Sequence, residues 1–353
     1  KSPSTPSSPE QGVLNGLKDI ANKHKESVDE FLPKVELLSH GSTISTNTVI
    51  ERDGPKLGLI HTEGFRDIMI LRDGHKRDRY NLHMPPPDPF VPRYLRKTVK
   101  ERILYTGEIQ TDLDEDSVRD VCSFFEKEGV KAVAVSLLWS IINPIHEQRV
   151  KEIINEELPD VHVEISSDVS PSIREYPRTG ATVLSAYTAP ALGEYMTKID
   201  DYLHENGFRY RMQVMQCTGG SSSVEEVKKK SVHTIGSGPA GGPLAALYYG
   251  DIEGDKDLMV CDMGGTSFDV SLIRNGVLPM STDMEIQGIP IGIGAVDVHS
   301  IGAGGGSIAW VDAGGALRVG PRSAGSEPGP ACYLRGGEEP TVTDANLMLG
   351  YLN

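Results

Sequence analysis

The densest chemistry in the chain lies in Val260-Cys261-Asp262-Met263-Gly264-Gly265-Thr266-Ser267-Phe268-Asp269-Val270. A short apolar run, Leu258 to Cys261, delivers a carboxylate into a turn rich in glycine and hydroxyls, and an alternating run, Phe268 to Ile273, leads away. Strand, Asp-x-Gly-Gly-Thr turn and strand is how a β-hairpin holds nucleotide phosphates. Gly264 and Gly265 let backbone N–H groups approach the oxygens, Thr266 adds a hydroxyl donor, and Asp262 can organise Mg²⁺. Asp269 orders the turn. The pattern points to ATP without either of the commoner phosphate-loop signatures. Taken alone, the motif fits an ordinary β-turn with glycine at positive φ equally well.

Two neighbours shift that balance. Gly236-Ser237-Gly238-Pro239-Ala240-Gly241-Gly242 precedes an apolar helix, Leu244 to Tyr249, so the amides of Gly238 and Gly241 can face an anion at its N-terminus. Close helix packing through small residues explains the same glycines. Further on, Asp297-Val298-His299 places a carboxylate and an imidazole on one face of a strand, with the loop Gly302 to Ser307 beyond. Such a pair can share a metal, or the carboxylate can orient the imidazole for proton transfer. A hydrogen-bonded pair that braces the loop is the simpler account.

The elements that position these residues are α/β. Gly12 to Lys23 has the spacing of an amphipathic helix, and Lys34 to Ser39 reads as a strand running into His40-Gly41-Ser42-Thr43. A helix over Ile44 to Glu51 and a strand over Lys56 to Thr62 follow. Met84 to Pro92 holds too many prolines for regular structure. Helices over Asp114 to Lys127 and His146 to Leu158 alternate with strands over Lys131 to Leu138 and Val161 to Ile165. Arg174 to Asn206 is one long helix with Pro190 as a kink or break, and Met212 to Gln216 is a strand. From Gly264 onward glycine is dense but interleaved with Ile, Val and Trp, unlike a flexible linker.

At 353 residues the chain is long enough for two domains. A net charge of -15 argues against a nucleic-acid surface. No run reaches the roughly 20 apolar residues of a membrane-spanning helix. Cys122, Cys217, Cys261 and Cys332 have no paired spacing, so neither a zinc site nor a disulfide framework is indicated. Reduced thiols and a cytoplasmic setting are the expectation.

Further motifs resemble the hydantoinase A / 5-oxoprolinase family, the ATP-using partner in N-methylhydantoinase, 5-oxoprolinase and acetone or acetophenone carboxylases. The resemblance is carried by His40-Gly41-Ser42-Thr43-Ile44-Ser45-Thr46-Asn47, Gly64-Phe65-Arg66-Asp67 and Arg174-Glu175-Tyr176-x-Arg178-Thr179. It continues through Gly238-Pro239-Ala240-Gly241-Gly242, Asp262 to Asp269, Gly302 to Ala309, Gly320 to Tyr333 and Pro340 to Asn346. These segments occur in order over nearly the whole chain.

The resemblance implies an α/β, actin-like ATPase with RNase H-like lobes, in which Asp262-x-Gly264-Gly265-Thr266 is the second phosphate hairpin. It implies ATP with Mg²⁺ or another divalent metal, and a hydantoinase B-type subunit in a hetero-oligomer. It also implies activation of a carbonyl oxygen, by phosphorylation in the usual picture. Hydrolysis of a lactam or hydantoin, or carboxylation of a ketone, then follows. Asp262, Asp297 and His299 are the expected catalytic groups, with Asp262 also at the metal. Family members begin with another Asp-x-Gly-Gly-Thr hairpin, and none precedes Lys1 to Pro6. The expectation is therefore a chain truncated at both ends. Residues 1–172 are the N-terminal-type domain lacking that hairpin, and residues 173–353 are the first part of the ATPase domain.

Other polar groups read two ways. Arg66, Asp67, Arg72, Asp73, His75, Arg77, Asp78 and Arg79 form a salt-bridged loop or a face for substrate or subunit. Thr43, Thr46 and Asn47 form a ligand site or a hydrogen-bonded turn. Arg174, Glu175, Arg178 and Thr179 cap a helix or take part in catalysis. The rival functions are an actin-like reactivase ATPase acting on a partner protein, and a structural subunit whose nucleotide site has decayed.

Overall fold

A computed structural model describes residues 5, 8–74, 80–86, 88–265, 267–282 and 284–353. Contacts divide the chain into one unit of Lys1–Ser237 with Thr282–Ala295 and another of Gly238–Ser281 with Val296–Asn353.

In the first unit the amphipathic pattern becomes α1 (Pro9–Lys23), with Pro9 where a helix needs no N–H. The strand expected over Lys34 to Ser39 is shorter. Leu32–Lys34 closes a 3₁₀ turn around Pro33, and only Ser39–His40 (β1) pairs. The next helix, α2 (Ile44–Glu51), and strand, β2 (Leu57–Thr62), fall within a residue of their predicted bounds.

β2 is central in a parallel sheet with β3 (Arg96–Val99), β4 (Ala132–Ser136) and β5 (His162–Ile165), in the order β3-β2-β4-β5. Leu59 lies beside Arg96, Leu57 beside Ala132, and Ala132 beside His162. All of β2 and β4 is buried, as a parallel sheet covered on both faces requires. The covering helix α3 (Glu115–Glu128) is capped by Asp114, whose carboxylate accepts the Ser117 N–H at 3.2 Å. It lays Phe125 onto β2 at Gly58, where a Cβ would stand 2.6 Å from the ring. A second helix, α4 (Ile145–Glu157), connects β4 to β5.

The long helix α5 (Glu175–Glu205) runs unbroken through Pro190, so the expected break is absent. Its first half joins the core of the parallel sheet through Leu184 and Ala186. Its second half joins another core through Leu192, Met196 and Ile199. That second core also holds Val214 of β6 (Gln213–Met215), which runs parallel to β1 and antiparallel to β7 (Ser221–Ser223). Two cores with separate apolar clusters explain a helix of this length.

The second unit follows α6 (Ser237–Glu253) with the hairpin strands β8 (Leu258–Met263) and β9 (Phe268–Ile273). β10 (His299–Ile301) pairs antiparallel to β9. Beyond it β11 (Ser307–Val311) and β12 (Leu317–Ser323) form a second hairpin, and α7 (Val342–Met348) follows. Asn275 at φ 55 and Gly276 at φ 68 make the turn after β9. Among the described residues no helix is long and apolar enough to cross a membrane. All four cysteines are free.

Candidate functional site

Asp262 lies inside β8 rather than in the turn, and its register partner across the hairpin is Asp269. Asp269 pairs in turn with Ser300 of β10, so three polar residues stand in a row across three strands. Residues directly opposite each other in an antiparallel pair share a face, so the two carboxylates repel. They are handled differently. Asp269 accepts from the Ser300 hydroxyl through Oδ1 and from the Ser267 hydroxyl at 3.4 Å through Oδ2. Asp262 is exposed and, among the described residues, its side chain makes no hydrogen bond or ion pair. An exposed carboxylate facing another is a hard-oxygen donor suited to a hydrated Mg²⁺, which keeps several waters and takes one or two carboxylates. Among the described residues no group of three His, Cys, Asp or Glu side chains could hold a metal.

The turn itself is built from backbone. The Gly264 N–H donates to Ser267 O at 3.0 Å, while the carbonyls of Gly264 and Gly265 accept from Gly305 N–H (2.9 Å) and Gly306 N–H (2.6 Å). The second glycine loop is thereby bound to the first. It is braced from behind by the start of α7, where both the N–H and the hydroxyl of Thr343 donate to Gly305 O at 2.8 Å. Asp344 closes that helix end by accepting from Thr341 N–H (2.8 Å), Thr341 Oγ1 (2.7 Å) and Cys332 N–H (2.7 Å). Burial works against its charge, but the bonds from Thr341 and Cys332 outweigh it and hold the carboxyl well below its usual range.

The glycines at the two loops answer to different demands. A Cβ on Gly305 would meet Thr343 Oγ1 at 2.8 Å, and one on Gly306 would meet Gly265 O at 3.0 Å, so packing requires both. Gly264 and Gly265 have no such need. Neither has a left-handed φ. Among the described residues a Cβ on Gly264 would meet only Ser267 O at 3.8 Å, and one on Gly265 would meet nothing within 4 Å. Among the described residues no acceptor meets the Gly265 N–H. This is an open cradle with a free donor. Thr266 lies outside the described residues.

The other expected residues are placed less favourably for chemistry. α6 begins at Ser237, earlier than its apolar run suggests, so Gly241 sits in the second turn with its N–H committed to the helix ladder. Gly238 lies in the first turn, where helix N–H groups lack an intrahelical partner, and among the described residues no other backbone acceptor meets it. His299 opens β10 and Asp297 precedes it, with Nε2 3.8 Å from Oδ1 and both side chains exposed. That is too long for a hydrogen bond. The Asp297 backbone is fixed, its N–H donating to Pro279 O at 2.9 Å and its C=O accepting from Ser271 Oγ at 2.7 Å.

Several motif residues make bracing contacts. Thr46 Oγ1 accepts from Gly236 N–H at 3.2 Å, Ser45 bonds Thr234 at 2.7 Å, and Asn47 bonds Thr43 at 3.4 Å. Arg178, 1% exposed, donates to Leu137 O at 2.9 Å and Ser172 O at 3.2 Å, tying α5 to the end of β4. Asp67 takes a two-bond fork from Arg93 at 3.0 and 2.8 Å, and Asp73 lies 3.4 Å from Arg174. His75, Arg77, Asp78 and Arg79 fall outside the described residues. Sequence reasoning missed Ser300 and Thr343, whose roles come from register and loop packing and leave no pattern in the chain.

Fold and hairpin together define an α/β protein of the actin-like ATPase type, and solved structures agree. The nucleotide-free structure of acetone carboxylase, titled for its ATP-dependent mechanism, superposes with a TM-score of 0.86 at 32% identity, covering 99% of this chain and 51% of that one. ATP-dependent caprolactamase from Pseudomonas jessenii superposes with a TM-score of 0.85 at 41% identity, covering 100% and 51%. Its alpha subunit is 42% identical over 354 residues. The 5-oxoprolinase of Saccharomyces cerevisiae is 33% identical over 98% of this chain and 29% of its own length. Residues 1–158 match the Hydantoinase/oxoprolinase N-terminal region and residues 178–353 match Hydantoinase/oxoprolinase. The chain belongs to the hydantoinase/oxoprolinase family. It spans about half the length of the caprolactamase subunit it matches.

Proposed function

We propose that this chain supplies the ATP-handling hairpin of a cytoplasmic enzyme that activates the carbonyl oxygen of a small molecule by phosphoryl transfer. The substrate is a lactam or hydantoin opened by hydrolysis, or a ketone that is carboxylated, and a hydantoinase B-type subunit completes the hetero-oligomer. The observation that carries this reading is the open cradle at Gly264-Gly265, where glycine is demanded neither by φ nor by any described neighbour. What remains to demand it is an approaching ligand, and a free N–H selects an oxygen anion. Relatives named as caprolactamase, carboxylase and 5-oxoprolinase support the reaction class.

Phosphoryl transfer asks a protein mainly for alignment and charge neutralisation. The Gly265 N–H would donate to a phosphate oxygen, and the Thr266 hydroxyl and the first-turn amide of Gly238 would add donors. Asp262 would hold Mg²⁺ through water, the ion supplying neutralisation of phosphate charge when bound. Asp269, already bonded by the Ser267 and Ser300 hydroxyls, would keep the turn in shape. Asp297 and His299 would serve the substrate side as an acid/base pair.

The test is the full-length protein with its B-type partner, scored for phosphate release with caprolactam, hydantoins, 5-oxoproline, and acetone or acetophenone plus bicarbonate. A release that depends on one carbonyl compound is expected. Release triggered only by a protein, or by none of these compounds, would refute the proposal.

A further inference from the structure

We propose that a cavity within the first unit binds a small organic carboxylate, with Arg96 and Arg72 as the anion-binding residues. The cavity encloses about 280 Å³ between the segment after β2, the proline-rich stretch and α5. Phe90, Val91, Val183 and Ile289 give it apolar walls. Arg96 is 3% exposed, and its Nε donates to Val91 O at 2.9 Å. Its Nη1 is buried without any partner, and so is the Nε of Arg72. Both residues line the cavity.

Burial opposes the Arg96 charge; Asp67 offsets this only in part, and Arg93 and Arg66 add to it, so the charge stays disfavoured. A third arginine there, Arg93, is committed to Asp67 through its two-bond fork. The wall's carboxylate, Asp88, is exposed and makes no ion pair among the described residues. Two orphaned guanidinium donors beside apolar walls call for an anion attached to an apolar body. The planar fork of arginine suits a carboxylate. Volume limits the body. An apolar cavity of about 150 Å³ takes benzene, so this one takes roughly ten non-hydrogen atoms, far fewer than a nucleotide has. Inorganic phosphate matches the charge and leaves the apolar walls unfilled.

The binding needs neither ATP nor a partner subunit, so it stands or falls apart from the function proposed above. Lactam opening and ketone carboxylation both yield a carboxylate, which makes the products of that chemistry a natural second set of probes.

The experiment is calorimetric titration of the full chain, at constant ionic strength, with hexanoate, hexanamide and inorganic phosphate. Thermal unfolding is followed in parallel. Hexanoate should bind saturably at one site and raise the Tm. Hexanamide and phosphate should bind at least tenfold more weakly. Arg96→Met should weaken hexanoate at least tenfold; it removes the orphaned charge but also the bond to Val91 O, so its ligand-free Tm is read alongside. Equal binding of hexanoate and hexanamide, no saturable binding, or unchanged affinity in Arg96→Met would overturn the proposal. If Arg96→Met does not fold, Arg72→Gln, at the less buried wall, decides. A several-fold loss of hexanoate affinity sustains the site, and an unchanged affinity removes it.

Discussion

Replacing Gly265 by alanine separates a phosphate cradle from a mere chain reversal. The added methyl meets no described atom within 4 Å and forces no left-handed φ. Folding should therefore be unharmed, and the unfolded chain loses freedom, a gain of about 0.4–1 kcal/mol. The ligand fares otherwise. A phosphate seated against the bare Gly265 backbone, the close approach that glycine permits, would occupy the place of the alanine methyl, and carbon contacts settle no closer than about 3.5 Å. The methyl thus displaces it and removes one hydrogen bond to a charged group, about 1.5–3 kcal/mol, or roughly ten- to 150-fold in affinity. The assay pairs nucleotide affinity by calorimetry with thermal unfolding. Gly306→Ala is the control. Its Cβ would press on Gly265 O and Ser323 Oγ, each at 3.0 Å, and should lower the Tm. Gly265→Ala that binds nucleotide as tightly as wild type, at an intact Tm, would refute the reasoning.

Asp262→Asn should abolish substrate-dependent phosphate release while leaving the circular dichroism spectrum unchanged, and at low salt its Tm should rise slightly because the charge opposite Asp269 is gone. Retained turnover would show that Asp262 is not needed. Thr343→Val keeps the N–H bond to Gly305 O and loses the hydroxyl bond, so stability should fall by about 1 kcal/mol, with a smaller loss of nucleotide affinity than Gly265→Ala gives. An unchanged Tm would mean the brace is idle. Burial lowers the pKa of His61 to about 4 from 6.5, so the unfolded state binds more protons below pH 6.5. Stability should be complete above that pH and fall by about 2 kcal/mol on going to pH 5, read by urea unfolding. His61→Gln should flatten this slope without erasing it, since burial also holds His40 and His233 below their ordinary values. An identical slope in the variant would remove His61 as the cause.

The local pattern of the chain was enough for much of this protein. Apolar spacing marked α1, α2, α3 and β2 to within a few residues, and the Asp-Met-Gly-Gly-Thr run between two alternating segments marked the hairpin. Both are legible because periodicity reports which face meets a core, and glycine with hydroxyls reports a turn. Where a helix starts was less visible. The small residues Ser237 to Gly242 carry no apolar period, yet they are already helical, which withdraws the Gly241 amide. Pro190 reads as a kink or break, but the helix continues through it, because α5 joins two cores that pack both halves.

Pairing and closeness were decided only in three dimensions. That Asp262 faces Asp269, and Asp269 faces Ser300, depends on strand register, which no residue states by itself. Thr343 reaches the Gly305 loop across a long stretch of chain. Nothing in the sequence sets Arg96 apart, and it is β3 that places it beside Leu59 and leaves Nη1 buried without a partner. A sequence records what each side chain can do, whereas its neighbours and its distance from water exist only once distant segments have packed.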